Sequence, residues 1–374
     1  MIKIDRKSSI KTPLYKGDRL VLGIESSCDE TAVAVVREDG AILSNCILSK
    51  MDEHIAFGGV VPEIAARAHM DHMQPLIQSA LIEVDVTLDD INAVAATSGP
   101  GLIGGVMVGM MAGKAIAYAK DIPFMGVNHL EGHALTARLT DQTVFPYLVL
   151  LVSGGHTQIL VAESLGVYKR LGTTLDDALG ECFDKSAKLI GLDYPGGPNL
   201  EKMALKCKNP QAALARFKLA QPLKERAGCD FSFSGLKTSV RNHVDKLPEG
   251  DIAPSDAADM AYAFQVTVTD ILKDRVQNAI SQFLSTYGDK CETPTLVVCG
   301  GVAANQSIRY MLEDLTHSHQ MAFIAPPLEL CSDNAAMIAW VGVERMQKAD
   351  YDDFDLAARP RWPLDETAEK LRRQ

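Results

Sequence analysis

Two histidines four residues apart give the clearest sign of chemistry in this chain, in the segment NHLEGH at 128–133. On a helix of 3.6 residues per turn this spacing places His129 and His133 about 40° apart, so both imidazoles can face one metal ion. Helical zinc proteases need a glutamate directly after the first histidine, but Glu131 comes two residues later, about 200° around the helix. Asn128 and Glu131 fit a capping box at a helix start instead.

A carboxylate that could complete this site is Asp333, which directly precedes Asn334 and the last long predicted helix. Two histidines and one carboxylate, with open coordination positions, favour ferrous iron, with zinc as the second choice. A structural interpretation is also open for each group. Histidine pairs occur on helices without a metal, and Ser332 and Asp333 could only cap the helix that follows.

Two glycine-rich turns are candidates for binding a nucleotide. The segment GPGLIG at 99–104 matches the dinucleotide fingerprint between a strand and a helix, but the glycine- and alanine-rich helix after it favours close helix–strand packing. The segment CGGVAAN at 299–305 runs from a strand through a turn into a helix, so its backbone could approach a base or ribose. A tight turn without a ligand is the alternative.

Charge is distributed unevenly along the chain. Formal net charge is -11, from 37 basic and 48 acidic residues, which gives no general attraction for a polyanion. Residues 201–241 nevertheless contain nine Lys and Arg residues against three acidic ones, a local net charge of +6. Such a segment is either a solvated helical face or a local contact for nucleic acid.

Composition limits the class of protein. With 374 residues, 47% hydrophobic and 23% charged, the chain is expected to form two or three globular units and not a disordered, collagenous or coiled-coil structure. Eight cysteines without a CxxC pair predict free thiols and a reducing compartment, the cytoplasm or alternatively the mitochondrial matrix. We expect neither a secretory signal nor a membrane span, because glycine, proline and polar residues interrupt the uncharged stretch at 91–113.

The hydrophobic pattern predicts an α/β protein. Residues 20–37 and 147–161 both read as an apolar strand, a small polar turn and a second strand, which indicates a duplicated unit. Pro62–Glu83 is helical in pattern, and Pro75 predicts a break into two helices. Residues 175–274 are expected to be mostly helical. Further strands are predicted at 91–97, 295–298 and 321–324, and further helices at 104–119, 305–315 and 333–346.

Several motifs in order along the chain resemble those of one enzyme family, the tRNA threonylcarbamoyl-adenosine transferases known as TsaD, once misassigned as a sialoglycoprotein endopeptidase. The resemblance spans about residues 20–346 and has a bacterial character. Its motifs are GIESSCDET (23–31), TSGPGLIGG (97–105), NHLEGH (128–133), LLVSGGHTQ (150–158), FDKSAKLIGLDYPGGP (183–198), FSFSGLKT (231–238), CGGVAANQSIR (299–309) and CSDNAAMIA (331–339).

The resemblance implies the actin-like ATPase architecture, with two related lobes of mixed sheets flanked by helices around a nucleotide cleft. We accordingly expect an N-terminal extension at 1–19, a first lobe at 20–128 joined by 347–374, and a second lobe at 129–346 with a helical insertion at about 175–274.

The family resemblance also implies the reaction. Threonylcarbamoyl-AMP donates its threonylcarbamoyl group to N6 of the adenosine beside the anticodon in tRNAs reading ANN codons, and AMP is released. By the same resemblance, His129, His133 and Asp333 are ligands of one ferrous ion per subunit. The implied adenylate-binding residues are Leu151, Val152, Ser153, Gly154, Gly155, Asp184, Gly197, Glu201 and Asn305.

A general base is needed because the exocyclic amine of adenine is a poor nucleophile. Asp29 and Glu30 are the candidates, with His156 in reserve. The resemblance further implies protein partners: an inactive TsaB-like paralogue pairing through Pro62–Glu83, a TsaE-like ATPase and a separate enzyme that makes the adenylate. Three alternative functions are carried forward: an ATP phosphotransferase or ATPase of the same fold, a non-catalytic scaffold and a metalloprotease. A homodimer of the isolated chain is a further possible state.

Overall fold

The computed structural model describes residues 17–49 and 60–368, and within these ranges the chain forms ten β-strands and eleven α-helices. Residues 1–16 of the expected N-terminal extension, and 369–374 of the segment expected to join the first lobe, lie outside them.

The strands are β1 (Leu20–Glu25), β2 (Glu30–Arg37), β3 (Ile42–Ser49), β4 (Ala93–Gly99), β5 (Phe124–Asn128), β6 (Tyr147–Val152), β7 (Thr157–Ser164), β8 (Val167–Thr173), β9 (Thr295–Cys299) and β10 (Ala322–Ile324). The helices are α1 (Pro62–Glu83), α2 (Ile103–Lys120), α3 (His129–Asp141), α4 (Leu179–Leu189), α5 (Gly196–Ala204), α6 (Pro210–Arg216), α7 (Ser234–Val244), α8 (Pro254–Tyr287), α9 (Gln306–Ser318), α10 (Leu328–Cys331) and α11 (Ala335–Gln347).

The chain divides into two compact units. The first runs to Thr143 and resumes over Ser332–Glu366, and the second comprises Val144–Cys331 and the residues from Thr367 onward. Both α3 and α11 therefore belong to the first unit, whereas the sequence analysis assigned them to the second lobe. The physical reason is that α11 packs on β1, β4 and α3, and a 2.6 Å ion pair joins Arg138 to Glu344.

The first unit contains a mixed sheet in the order β3-β2-β1-β4-β5. Strands β1, β2 and β3 are antiparallel neighbours, and β4 and β5 run parallel to β1. Every residue of β1 is buried, as expected for the continuous apolar run LVLGI between two helical layers. A Cβ on Gly23 would meet α11, while Ile24 lies near Gly109 of α2, so these helices cover opposite faces.

Small residues bring α2 very close to the turn between β1 and β2. A Cβ on Gly105 would lie 2.4 Å from the Ser26 carbonyl oxygen, and one on Gly109 would lie 2.2 Å from Ser26 Oγ. Ser26 Oγ donates to the Gly105 carbonyl at 2.9 Å and accepts from the Gly109 amide at 3.1 Å. The close-packing interpretation of the glycine-rich segment is therefore confirmed.

The second unit repeats this topology. Its sheet has the order β10-β9-β6-β7-β8, with β6, β7 and β8 antiparallel neighbours and β9 and β10 parallel to β6. Strand β6 thus corresponds to β1, and β9 to β4. The expected duplication is confirmed in strand order and direction. The 34-residue helix α8 supplies much of the buried side of this unit's core.

The expected break at Pro75 is wrong, because α1 is continuous from Pro62 to Glu83. A proline inside a helix removes the hydrogen bond to the carbonyl four residues earlier, here that of Asp71. Asp71 is exposed, so water can satisfy this carbonyl. Met73, Leu76 and Ala80 are buried along one side of the helix on both sides of the proline, and their packing favours an unbroken helix.

Candidate functional site

Three side chains of the first unit converge as the sequence predicts. His133 Nε2 lies 3.1 Å and His129 Nε2 lies 3.4 Å from the same oxygen, Oδ1 of Asp333. One ligand atom from each of the three lies within 4.8 Å of the others. Both histidines are buried, and Asp333 is largely so.

Helix caps place the three ligands. Asn128 ends β5 and caps α3 by accepting from the Leu130 amide at 3.0 Å, which makes His129 the first residue of the helix and puts His133 one turn later. Asn334 caps α11 by accepting from the Met337 amide at 3.0 Å. The interpretation of Ser332 and Asp333 as the cap is therefore wrong, and the carboxylate of Asp333 reaches the histidines.

The two separations from Asp333 to the histidine nitrogens suit a divalent cation, and all three ligand atoms lie within 4.8 Å of one another. Metal bonds of about 2.0–2.2 Å place neighbouring ligand atoms roughly 2.8–3.6 Å apart, for angles between 90° and the tetrahedral value. The separations of 3.1 and 3.4 Å on Asp333 Oδ1 fall in this range. Two imidazole nitrogens and one carboxylate oxygen also leave coordination positions for a substrate.

The charges around the triad also favour a cation. Burial opposes ionisation of Asp333, but the two histidines outweigh it and hold the pKa of this carboxyl well below its usual value. Burial likewise opposes a charge on His129, but Asp333 and Glu25 raise the pKa of the imidazole well above its ordinary value. Two ionised carboxylates therefore flank one imidazole in a buried site.

Sequence reasoning missed the groups behind His129. Glu25, the last residue of β1, has Oε2 3.0 Å from His129 Nδ1. The amide of Ser27 donates to its other oxygen at 2.6 Å, and the Thr97 hydroxyl donates to Oε2. A glutamate at the end of an otherwise apolar strand was the available signal, since a fully buried carboxylate needs partners.

The proposed bases lie beside this site. Asp29 is in the turn between β1 and β2, and Glu30 is the first residue of β2. Burial, followed by repulsion from Asp333 and Asp29, raises the pKa of Glu30 well above its ordinary value. Burial, with the charges of Asp29 and Asp333, also raises the pKa of the Cys28 thiol. His156 lies in a turn of the second unit.

The second unit contains a cavity of about 220 Å³. Five residues from the predicted adenylate set line it together: Gly154, Asp184, Gly197, Glu201 and Asn305. They come from the turn after β6, from α4 and α5, and from the residue that caps α9. The turn at 299–305 contributes four lining residues in all, and the approach of its backbone to a base or ribose stays a prediction.

Polar groups of the cavity are held by local hydrogen bonds. Asp184 Oδ1 accepts from the Gly196 amide at 2.8 Å, although burial outweighs these bonds and raises the pKa of the carboxyl. Asn305 Nδ2 donates to Gln265 Oε1 at 2.9 Å while its Oδ1 caps α9. Glu201 Oε1 accepts from the Gln306 amide at 2.8 Å. These bonds fix the cavity wall before any ligand enters.

Four other residues of the predicted set lie outside the lining. Leu151 and Val152 are fully buried in β6, so their side chains belong to the core. Ser153 and Gly155 lie in the turn that follows, where the Ser153 amide donates to the His156 carbonyl at 2.8 Å. Their contact with the adenylate stays a prediction.

The basic segment at 201–241 is partly neutralised. Arg216 pairs with Asp256, Lys224 with Asp270 and Lys237 with Asp177, and all three partners lie outside the segment. Six of its basic residues are exposed and have no ion-pair partner within the described part of the chain: Lys202, Lys206, Lys208, Lys218, Arg226 and Arg241. None of the described helices is both long enough and apolar enough to cross a bilayer.

Comparison with known proteins identifies the family and the fold. Residues 41–340 match the sequence model of TsaD, described as tRNA N6-adenosine threonylcarbamoyltransferase. A relative of that name from Brucella anthropi is 57% identical over 355 residues, 94% of this chain and 97% of its own. One from Brucella abortus is 56% identical over 92% of this chain and 95% of its own.

Among solved structures, HypF from T. kodakarensis covers 88% of this chain and 48% of its own, at 12% identity with a TM-score of 0.58. Full-length HypF in a phosphate- and nucleotide-bound form has a TM-score of 0.55, also at 12% identity, and the match covers 90% of this chain and 47% of that structure's chain. These likenesses show the expected actin-like ATPase fold. With a family match over most of its length, and relatives more than half identical, the chain belongs to the TsaD family of tRNA N6-adenosine threonylcarbamoyltransferases.

Proposed function

We propose that this chain transfers the threonylcarbamoyl group of threonylcarbamoyl-AMP to N6 of the adenosine adjacent to the anticodon in tRNAs reading ANN codons. A bond forms between N6 and the carbamoyl carbon, the bond from that carbon to the phosphate oxygen breaks, AMP leaves, and the N6 proton passes to a base. The observation that carries this proposal is the 57% identity to a transferase of this name over almost the whole chain.

The donor is already activated, because it is a mixed carbamic–phosphoric anhydride. The protein therefore has to position the donor, polarise its carbonyl, neutralise the departing phosphate and hold the amine in line. His129, His133 and Asp333 would hold one ferrous ion per chain, with zinc as the alternative. When bound, such an ion supplies Lewis-acid polarisation of the carbonyl and neutralises charge on the phosphate.

Glu30 is the base that we favour, with Asp29 beside it. Glu30 is the first residue of β2, directly after the turn that holds Asp29, and burial together with the charges of Asp333 and Asp29 raises the pKa of its carboxyl. His156 is the reserve candidate.

We assign the donor's AMP moiety to the cavity of the second unit. Substitution of Gly197 by valine should raise the KM for threonylcarbamoyl-AMP about tenfold or more, because the added carbons occupy ligand space. A Cβ at Gly197 meets no atom within 4 Å, so the unfolding midpoint should not change. Steady-state kinetics and denaturant titration measure the two quantities.

The matched control is Gly288→Val, since Gly288 is outside the cavity lining and the nearest atom to its Cβ is 4.0 Å away. If Gly197→Val changed neither the KM for threonylcarbamoyl-AMP nor the unfolding midpoint, this cavity would be excluded as the donor's binding site.

We propose that the six exposed, unpaired basic residues of the 201–241 segment contact the tRNA backbone. Phosphate contacts depend on charge and on exposure, and these residues have both. Because three acidic side chains from elsewhere in the unit neutralise Arg216, Lys224 and Lys237, the remaining cations define a smaller contact than the sequence alone indicates.

We also propose that a TsaB-like paralogue binds α1 and α2, and that a TsaE-like ATPase and a separate adenylate-forming enzyme act with them. Four large apolar residues follow one side of α2 and are exposed: Ile103, Met107, Met111 and Tyr118. Met70 of the neighbouring α1 is also 69% exposed. An apolar stripe of this kind is typical of a protein interface.

The double substitution Met107→Glu and Met111→Glu should weaken binding to the purified paralogue about a hundredfold or more. Two carboxylates without partners would have to lose water in an apolar interface. Isothermal titration measures the affinity. Val167→Glu is the control, because Val167 is a similarly exposed apolar residue on β8. Equal binding by both variants would exclude the α2 stripe as the interface.

The function is tested by reconstitution. The chain, its paralogue and the ATPase are incubated with threonylcarbamoyl-AMP and a tRNA transcript that reads an ANN codon, and nucleosides are analysed by mass spectrometry. We expect threonylcarbamoyl-adenosine with the donor and none without it, and we expect the nucleoside to disappear from cytoplasmic tRNA of depleted cells. Undiminished modification in those cells, or ATP turnover without product, would overturn the proposal.

A further inference from the structure

We infer that Glu25 is a positioning residue of the metal centre, which holds His129 in the tautomer that can bind a cation. This rests on the proposed function only in requiring that the triad binds a divalent ion. Carboxylates behind metal-binding histidines fix the orientation of the ring and make it a stronger ligand. Asp333 of the CSDN segment lies on the Nε2 side of His129, whereas Glu25 is the carboxylate on the Nδ1 side among the described residues.

The placement of Glu25 follows from strand register. Ile24 of β1 pairs with Ala96 of the parallel strand β4, so the next residues, Glu25 and Thr97, lie side by side. Strand β5 lies beside β4 and ends at Asn128, directly before His129. The carboxyl ends of three neighbouring parallel strands therefore bring the glutamate, the threonine and the histidine together.

The hydrogen bonds of Glu25 determine which nitrogen of His129 carries the proton. The carboxylate is fully buried and accepts from the Ser27 amide and the Thr97 hydroxyl. His129 Nδ1 lies 3.0 Å from Glu25 Oε2 and 3.1 Å from the Ser27 hydroxyl oxygen. An ionised carboxylate can only accept, so Nδ1 donates to Glu25, and the Ser27 oxygen is a second acceptor on the same side. With a cation in the triad, the lone pair of Nε2 then points to the side of Asp333, whose Oδ1 is 3.4 Å from it.

Glu25 supports the site without belonging to its ligands. Its oxygen lies on the Nδ1 side of the ring, whereas the cluster of ligand atoms consists of His129, His133 and Asp333. The second histidine lacks such support, since His133 Nδ1 is buried and has no hydrogen-bond partner in the described part of the chain. Among the described residues, Glu25 is therefore the one carboxylate that contacts the Nδ1 atom of a ligand histidine.

The test compares metal affinity in Glu25→Gln with that in a matched variant, Glu344→Gln. Glu344 is also a buried glutamate, and its ion pair with Arg138 joins α11 to α3. Helix α3 carries the two histidines, and Asp333 directly precedes the cap of α11. The dissociation constant for Zn²⁺ is measured by chelator competition at fixed pH in both variants, in Thr97→Val and in the unmodified chain. Thermal unfolding of the metal-free proteins is measured in parallel.

We expect Glu25→Gln to weaken zinc binding about 10- to 100-fold with an unchanged stoichiometry, because the amide can still accept from Nδ1 but carries no charge. Thr97→Val should have a smaller effect in the same direction, and it provides the test if Glu25→Gln does not fold. Glu344→Gln should leave the affinity within about threefold even if it lowers the unfolding temperature.

Equal affinities in Glu25→Gln and the unmodified chain, or equal losses in Glu25→Gln and Glu344→Gln, would overturn the inference while the proposed metal centre stands. Failure of the unmodified chain to bind zinc or ferrous iron at His129 would overturn both. A third outcome is that the unmodified chain binds zinc tightly and Glu25→Gln weakens this binding, but the chain forms no threonylcarbamoyl-adenosine. This outcome would support the inference and overturn the proposed reaction.

Discussion

Substitution of His129 by alanine should remove the bound metal ion and lower the rate of threonylcarbamoyl transfer about a thousandfold. Asp333 Oδ1 and His133 Nε2 would remain, 3.1 Å apart, and two ligands hold a divalent ion much more weakly than three. A Lewis acid contributes several kcal/mol of charge stabilisation in the transition state, and about 4 kcal/mol corresponds to three orders of magnitude in rate. Elemental analysis and single-turnover kinetics measure the two losses.

The control for this substitution is His317→Ala, because His317 is an exposed residue of α9 in the second unit. It should keep one equivalent of metal and the full rate. If His129→Ala retained the ion, or lost the ion and kept the rate, the triad would have no part in the reaction.

Gly23→Ala should destabilise the first unit by about 3 kcal/mol and weaken metal binding at the same time. A Cβ at Gly23 would lie 2.4 Å from the Ala335 carbonyl oxygen and 2.7 Å from the Ala339 amide nitrogen. These are backbone atoms of α11, so relief requires the helix to move. Asp333 lies immediately before the cap of α11, and a shift of this helix would move the carboxylate away from the histidines.

Urea unfolding and zinc affinity test this coupling. Gly288→Ala is the comparison, since its Cβ would come no closer than 4.0 Å to a neighbour and its φ of -52° is helical. A stable Gly23→Ala protein with unchanged affinity would show that β1 and α11 can separate without disturbing the site.

Local pattern was enough to make the triad a candidate metal site, and the family resemblance assigned its three residues as ligands. The spacing of His129 and His133 is a property of one helix, and a carboxylate before a later helix start is visible in the sequence. Close packing of the glycine-rich helix α2 was likewise predictable, because glycine permits such an approach, but its partner Ser26 was not identified from the sequence. The duplicated strands followed from their apolar runs, and the two sheets have the same order.

Features that depend on distant partners could not be predicted. Glu25 precedes His129 by 104 residues, and only the register of β1, β4 and β5 brings them together. Pro75 was expected to break α1, yet tertiary burial of Met73 and Leu76 on either side of it outweighs one lost hydrogen bond. The cap of α11 was misplaced by two residues at most, which is the usual uncertainty of helix ends.

The resemblance and the cavity lining also differ in informative ways. Family motifs name Leu151 and Val152 beside Gly154, but a motif records which residues are adjacent in sequence and not which ones face a ligand. Leu151 and Val152 point to opposite faces of β6, and both are buried because the strand is covered on both sides. The first residue after the strand that lines the cavity is Gly154.

The discontinuity of the first unit sets the order of events during synthesis. His133 leaves the ribosome 200 residues before Asp333, an interval of about 10–40 s at 5–20 residues per second. Helix α11, which covers one face of the first sheet, is made only after Asp333. The nascent polypeptide therefore carries an incomplete triad until Asp333 has been made, and binding of a metal ion by all three side chains has to await the near-complete chain.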